Sequence, residues 1–180
     1  MKKNQYEFPK SSFLSLAKDS SLIMDKILKN KTILKLLYYA TPDWKIQEDL
    51  NPTQIKSLFS NKQISNVPTI RVDNNNLQLS YLRITFDEFF PNAQNGYYRD
   101  SVVNFKVACP FDCWDLNDFE LRPYRIAGEL DSMFNDTYLT GIGKLTFLGA
   151  DMDIYDDYIG GVTLRYLAVH GNDDKIDPLV

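Results

Sequence analysis

The sequence predicts a single α+β domain, with a mixed or antiparallel sheet of about four strands, a helix packed on it, and a helical N-terminal region. Apolar residues recur at three- and four-residue steps through residues 11–60, and they alternate with polar residues in segments between 68 and 170. Hydrophobic residues make up 44% of the 180 positions, which is typical of a globular domain. Because helices and hairpins are segregated along the chain, the helices are expected on one face of the sheet.

The predicted domain spans residues 11–170, and the polar ends 1–10 and 171–180 are expected to be flexible. Three helices are predicted within 11–60. Ser11-Ser12 supplies the cap of the first helix, since a serine hydroxyl accepts a bond from a free backbone N–H. The second ends before Pro42, because proline disfavours the helical conformation of the preceding residue. Asn51-Pro52 opens the third, with asparagine as cap and proline in the first turn.

Residues 68–170 are predicted to form a hairpin, a helix and a second hairpin. In the two strands of the first hairpin, every second residue is apolar, as expected of a half-buried strand. Asn117-Asp118 is the predicted cap of the helix, and an acidic loop over 151–157 precedes the last strand. The predicted ranges are 80–90 and 99–109 for the first hairpin, 119–134 for the helix, and 144–148 and 162–170 for the second hairpin.

The net charge of −4 conceals an asymmetry along the chain. Residues 1–110 carry fifteen basic and ten acidic residues, whereas residues 111–180 carry five basic and fourteen acidic ones. A chain with a positive half and a negative half can dock head to tail on its own copies, since opposite fields steer association. Isolated solvated charges are the alternative interpretation.

Catalytic residue patterns are sparse in the sequence. His170 is the single histidine and is expected to be an ordinary strand-end residue, so no Ser–His or Cys–His pair is predicted. Cys109 and Cys113 are expected to be free thiols, because a zinc site would need further ligands. No phosphate-binding glycine loop occurs. The sequence therefore predicts neither an enzyme nor a cofactor.

The acidic loop is the best candidate for a metal site. Carboxylates are the ligands that hard cations prefer, and the loop supplies Asp151, Asp153, Asp156 and Asp157. An EF-hand, however, needs glycine at its sixth position and glutamate at its twelfth, where this chain has Asp156 and Val162. A solvated loop or a charged contact for a neighbouring protein is favoured.

Aromatic residues in or near loops are candidate interface residues, because tyrosine and tryptophan are enriched where proteins bury surface against each other. They are Phe89, Phe90, Tyr97, Tyr98 and Trp114. The lysines between Lys2 and Lys35 make the N-terminal region basic, but no base-reading motif accompanies them. We expect a solvated helix face there, and no membrane-spanning segment, since no run of about 18 apolar residues occurs.

Three stretches of the C-terminal half carry a family resemblance: LRPYRIAGELDSMF (121–134), GIGKLTFLGA (141–150) and YIGGVTLRY (158–166). Together they resemble the tail-terminator and neck (head–tail connector) proteins of tailed bacteriophages. The resemblance covers roughly residues 80–170, with a hairpin, a helix of pattern R-x-x-x-I-x-x-x-L, and a second hairpin. It implies a structural virion protein without catalytic residues. Arg122 and Arg125 join the candidate interface residues on this basis.

The resemblance also implies partners and a location. The subunit would form a ring, a hexamer or higher, around the DNA channel, with passive contact between DNA and the ring. It would be assembled in the host cytoplasm and reside in the neck or tail of the virion, against portal, neck or tail-tube proteins. Two alternatives stay open: a small phage-encoded metal-dependent hydrolase using Asp151–Asp157, and an intracellular module that binds a peptide along a sheet edge.

Overall fold

The computed structural model describes residues 14–68, 79–93, 99–139 and 143–170. Within them, four α-helices accompany a five-stranded mixed sheet and a small two-stranded sheet. The predicted α+β class with N-terminal helices is confirmed. The expectations for 1–10, Ser11-Ser12, Tyr97-Tyr98 and 171–180 lie outside the described residues.

The described residues form both α-helices and short turns of 3-10 helix. The α-helices are α1 (Leu14–Ile27), α2 (Lys31–Tyr38), α3 (Pro52–Ser60) and α4 (Arg122–Phe134). The 3-10 turns are Trp44–Ile46, Phe111–Cys113 and Asn117–Phe119. The predicted cap of α3 is present as a capping box: Asn51 Oδ1 accepts from the Gln54 N–H at 3.0 Å, and Gln54 Oε1 accepts from the Asn51 N–H at 2.9 Å.

The large sheet has the strand order β1-β2-β3-β7-β6. β1 pairs with β2 in parallel, and the other pairs are antiparallel. A separate ribbon is formed by β4 and β5. The strands are β1 (Ile64–Ser65), β2 (Tyr81–Pro91), β3 (Arg99–Pro110), β4 (Tyr138–Leu139), β5 (Gly143–Lys144), β6 (Thr146–Ile154) and β7 (Ile159–His170).

The core lies between one face of the sheet and the helices. Phe105 of β3 stacks on Phe134 of α4 with ring centroids 4.8 Å apart, and it meets Tyr166 of β7 edge-on at 5.7 Å. Ile23 and Ile27 bring α1 into the same hydrophobic cluster, with no exposed surface on either side chain. Each of these large side chains gains about 1.5–3 kcal/mol from leaving water.

Three predicted boundaries are wrong. α4 begins at Arg122 rather than at 119, and its cap residue is Leu121, without a side-chain hydrogen bond. Phe119 has φ +61°, and this left-handed backbone conformation prevents α4 from beginning at residue 119. The predicted acidic loop is in part a strand, because β6 continues through Asp151 and Asp153 to Ile154 in register with β7. The predicted strand 144–148 is accordingly divided between β5 and β6.

At Gly161, the backbone of β7 lies close to the backbone of β3 and leaves no room for a side chain. A Cβ at this position would lie 1.8 Å from the carbonyl oxygen of Val107, which is backbone and cannot rotate away. We expect Gly161→Ala to lower the free energy of unfolding by about 3 kcal/mol, measured by urea denaturation. Gly128→Ala is the control, since no atom lies within 4 Å there, and it should stabilise α4 by up to about 1 kcal/mol. Equal effects of the two changes would contradict the close approach.

Candidate functional site

The guanidinium of Arg122 is fully buried and donates five hydrogen bonds to backbone carbonyls. Nε donates to Cys113 at 2.7 Å. The two terminal nitrogens donate at 2.6–3.0 Å to four carbonyls in and after the last turn of α2, those of Leu36, Tyr39, Ala40 and Thr41. A helix leaves its last carbonyls without partners, and a positive charge suits that end of the dipole. Arg122 therefore joins α2 to the start of α4.

The prediction of Arg122 as an interface residue is wrong, because its exposed fraction is 0%. All five N–H donors are already used inside the chain. Burial lowers the pKa of Arg122 from its ordinary value. Its role in this chain is structural.

Arg125, three residues further along α4, is partly exposed. It forms an ion pair with Glu129 at 2.7 Å and lies 3.6 Å from Glu120, with its guanidinium 5.8 Å from the Trp44 ring centre. Arg125, Glu120 and Glu129 line an open groove of about 670 Å³ along α4, and the fully exposed Phe119 lies at its rim. Its charged lining residues are Glu120, Glu129 and Arg125, and both carboxylates face the single guanidinium, so the groove offers no strong field to an ionic ligand.

The predicted aromatic interface residues lie apart from one another. Phe89 and Phe90 are 38% and 41% exposed, near the end of β2 and beyond an irregularity in its pairing with β3. Trp114 is half-buried at the other end of the sheet, where Nε1 donates to the Cys109 carbonyl at 2.9 Å. Phe89 and Phe90 thus have surface available for a partner, whereas Trp114 is largely used for packing.

The four predicted metal-site aspartates are held in different ways. Asp153 accepts hydrogen bonds from Thr163 and, at 3.2 Å, from Tyr155. Asp156 Oδ1 accepts two backbone N–H bonds within its own turn, at 2.7 and 2.8 Å. Asp151 faces Arg165 at 3.4 Å. Within the described ranges, no group of three or more His, Cys, Asp or Glu residues has the arrangement that a metal ion needs.

The surface around these aspartates is an uncovered sheet edge. We call residues 146–158, which comprise β6 and the turn after it, the acidic edge. It contains four aspartates and no lysine or arginine. α4 packs mainly on β3 and β7, and in the described part of the chain no strand pairs with the outer side of β6. Its large apolar side chains are 37–72% exposed: Phe147, Leu148, Met152, Ile154, Tyr155 and Tyr158.

Burial and neighbouring charge affect one titratable group of the acidic edge. The pKa of Tyr155 is raised to about 12, first by burial of its hydroxyl and then by the charge of Asp153. Tyr155 consequently stays neutral at physiological pH, and its hydroxyl donates a hydrogen bond to the Asp153 carboxylate. The aspartates next to it supply the negative charge of this surface.

A second polar site, which the sequence did not predict, is formed by Ser101, His170 and Asp19. Ser101 Oγ lies 2.6 Å from His170 Nε2, and His170 Nδ1 lies 3.1 Å from Asp19 Oδ2. A carboxylate oxygen accepts, so Nδ1–H of the imidazole is the donor to Asp19, and in that tautomer Nε2 can accept a hydrogen bond from the serine hydroxyl. The order of groups is that of a serine hydrolase triad.

The surroundings of these three residues differ from those of an active site. Ser101 and Asp19 have an exposed fraction of 0% and His170 of 3%, and the Phe86 ring centre lies 5.9 Å from the imidazole. Asp19 Oδ1 is buried without a hydrogen-bond partner. A substrate carbonyl has no access to a serine oxygen in this position. The bonds instead connect α1 to the ends of β3 and β7.

Comparison with known proteins gives one family. The family model named YomW matches residues 30–167, more than three quarters of the chain. The chain belongs to the YomW family. The family name comes from a phage-like (SPbeta prophage) gene region of Bacillus, so this is a phage-associated protein. No curated protein sequence matches the chain significantly.

The YomW match covers α2 to β7 and thus includes most of the core and the acidic edge. The predicted association with phages is confirmed at this level, and the neck or tail-terminator role stays a prediction. Among the described residues, no helix of this YomW protein is long and apolar enough to cross a bilayer.

The contrast between Arg122 and Arg125 can be measured. We expect Arg122→Lys to lower the free energy of unfolding by about 3 kcal/mol, because lysine cannot reach five carbonyls and leaves buried acceptors unpaired. Arg125→Lys, on the same helix but partly exposed, should cost less than about 1 kcal/mol. Urea denaturation of both variants checks this. Small losses of similar size would show that Arg122 does not hold α2 and α4 together.

Proposed function

We propose that this YomW protein is a structural virion subunit that assembles with its own copies into a ring, as a tail terminator or neck protein. The observation that carries the proposal is the acidic edge, because its nine-residue edge strand β6 has no buried residue. A long edge strand with exposed apolar side chains is a template for association with another chain. The phage family and the sequence resemblance favour a virion as the place of that association.

On this proposal the partners are copies of the chain, in a hexamer or higher ring, together with portal, neck or tail-tube proteins. The protein is assembled in the host cytoplasm and resides in the neck or tail. It acts by binding rather than by catalysis, and its contact with DNA in the channel is passive. Capture of a peptide along β6 is the competing use of the same edge.

Removal of apolar surface from the acidic edge tests the proposal. We expect the wild-type protein to form oligomers of six or more chains in multi-angle light scattering, and Met152→Ser with Ile154→Ser to weaken association at least about tenfold, since buried methylene groups stabilise an interface. These side chains are 56% and 72% exposed, so the monomer's unfolding free energy should change by less than about 1 kcal/mol.

Tyr138→Ser is the matched control, because Tyr138 is 77% exposed but lies in the separate β4–β5 ribbon. It should leave association unchanged. Mass spectrometry of purified phage particles provides the second measurement and should detect the chain. A protein that stays monomeric at every concentration and is missing from particles would refute the proposal.

A serine hydrolase is the second candidate function, and the arrangement of Ser101, His170 and Asp19 is the observation that favours it. The Ser101–His170 distance of 2.6 Å allows proton transfer from nucleophile to base. The burial of Ser101 argues against it, since a nucleophile must reach the substrate.

A fluorophosphonate, which modifies activated serines covalently, distinguishes the two functions. We expect no adduct on the native protein by intact-mass spectrometry, because Ser101 is inaccessible. Ser101→Ala is the control variant. A single adduct that appears on the wild type and is lost in Ser101→Ala would establish a reactive serine and favour the hydrolase.

A further inference from the structure

We infer that the acidic edge of one copy docks on a lysine-bearing surface at the opposite edge of the sheet of a second copy. We call this surface, residues 50–68, the lysine edge; it comprises α3, β1 and the residues next to them. The arrangement rests on the proposed function of self-assembly and specifies the two surfaces that meet. It describes a head-to-tail contact, in which each copy uses a different surface toward each neighbour.

The lysine edge complements the acidic edge in charge. It contains Lys56 and Lys62 and no aspartate or glutamate, whereas the acidic edge contains four aspartates and no basic residue. Both lysines are exposed, and neither forms an ion pair with a described residue. Asp157 of the acidic edge is likewise exposed. Opposite fields of this kind steer encounter and fix register.

The two surfaces also complement each other in apolar character. On the lysine edge, Phe59 is 38% exposed and Val67 is 59% exposed. On the acidic edge, Met152 and Ile154 are 56% and 72% exposed. An interface needs an apolar centre as well as a charged rim, and each surface provides both.

The lysine edge and the acidic edge cannot meet within one chain. β1 and β6 are the two outermost strands of the five-stranded sheet, and α3 packs on β1. Four spacings of about 4.8 Å place the two edges about 19 Å apart. Asp151 has Arg165 as a partner within the chain. Lys56, Lys62 and Asp157, however, form no ion pair with a described residue, and a second copy is the occupant that supplies the complement.

A symmetric contact between two acidic edges is disfavoured. It would bring four aspartates against four aspartates across one interface, and facing like charges cost several kcal/mol. A contact between unlike surfaces at opposite edges is heterologous, and such contacts repeat into closed rings or open filaments. The charge distribution thus selects the type of assembly that a ring requires.

A reciprocal charge swap tests the inference. In Lys56→Glu with Lys62→Glu, we expect association of the full chain to weaken at least tenfold in multi-angle light scattering. In Asp151→Lys with Asp157→Lys, we expect a loss of similar size. In an equimolar mixture the two variants can alternate so that each contact joins opposite charges, and association should return. The chain carrying all four changes should also associate within threefold of the wild type. Thermal melting confirms that each variant is folded.

Lys18→Glu with Lys29→Glu is the matched control, because both lysines are exposed but lie in and after α1. It should leave association within threefold of the wild type. Suppose that the wild type assembles, but Lys56→Glu with Lys62→Glu leaves association unchanged, or the chain with all four changes does not regain association. The docking inference is then wrong, while the proposed function stands. A wild type that never assembles overturns both.

Discussion

The fold depends on the buried guanidinium of Arg122, which joins the N-terminal helices to α4. It closes the C-terminal end of α2 and the loop at Cys113 with five bonds to carbonyl oxygens. Hydrophobic packing alone would leave carbonyl groups at the end of α2 without hydrogen bonds, because the last carbonyls of a helix have no donor within the helix. The bonds connect the N-terminal helices to α4, and α4 in turn packs on β3 and β7. The position of the sheet relative to the helices follows from this connection.

With the helices held over the other strands of the sheet, the outer strand β6 remains uncovered. Helices of limited width cover the central strands, and β6 lies beyond them with its apolar side chains in solvent. Natural proteins usually protect such an edge with charge, and the aspartates of the acidic edge do so against a second copy of the same edge. The same charges attract a surface of opposite sign. One arrangement thus prevents unspecific pairing and selects a specific partner.

The Ser101, His170 and Asp19 arrangement shows why side-chain geometry alone does not identify an enzyme. The three groups have the distances of a relay, yet the core encloses them. In a buried position the same bonds satisfy polar groups that would otherwise destabilise the core. They attach α1 to the sheet, and Lys26, whose ammonium donates to the Met133 carbonyl at 2.6 Å, attaches α1 to α4.

The local pattern of apolar, polar and capping residues determined most helices and strands of this protein. The alternation around Leu82 and Phe105 and the Asn51-Pro52 cap were readable because strand period and helix capping involve neighbours within a few residues. The tertiary structure alone decided four of the five partners of Arg122, which lie more than 80 residues away in α2 and after it. It also decided the contact of Asp19 with His170 across 151 residues. It further decided that the first part of the acidic segment, up to Ile154, is an edge strand rather than a loop. Such contacts arise from packing, and a linear pattern carries no record of which distant segments pack together.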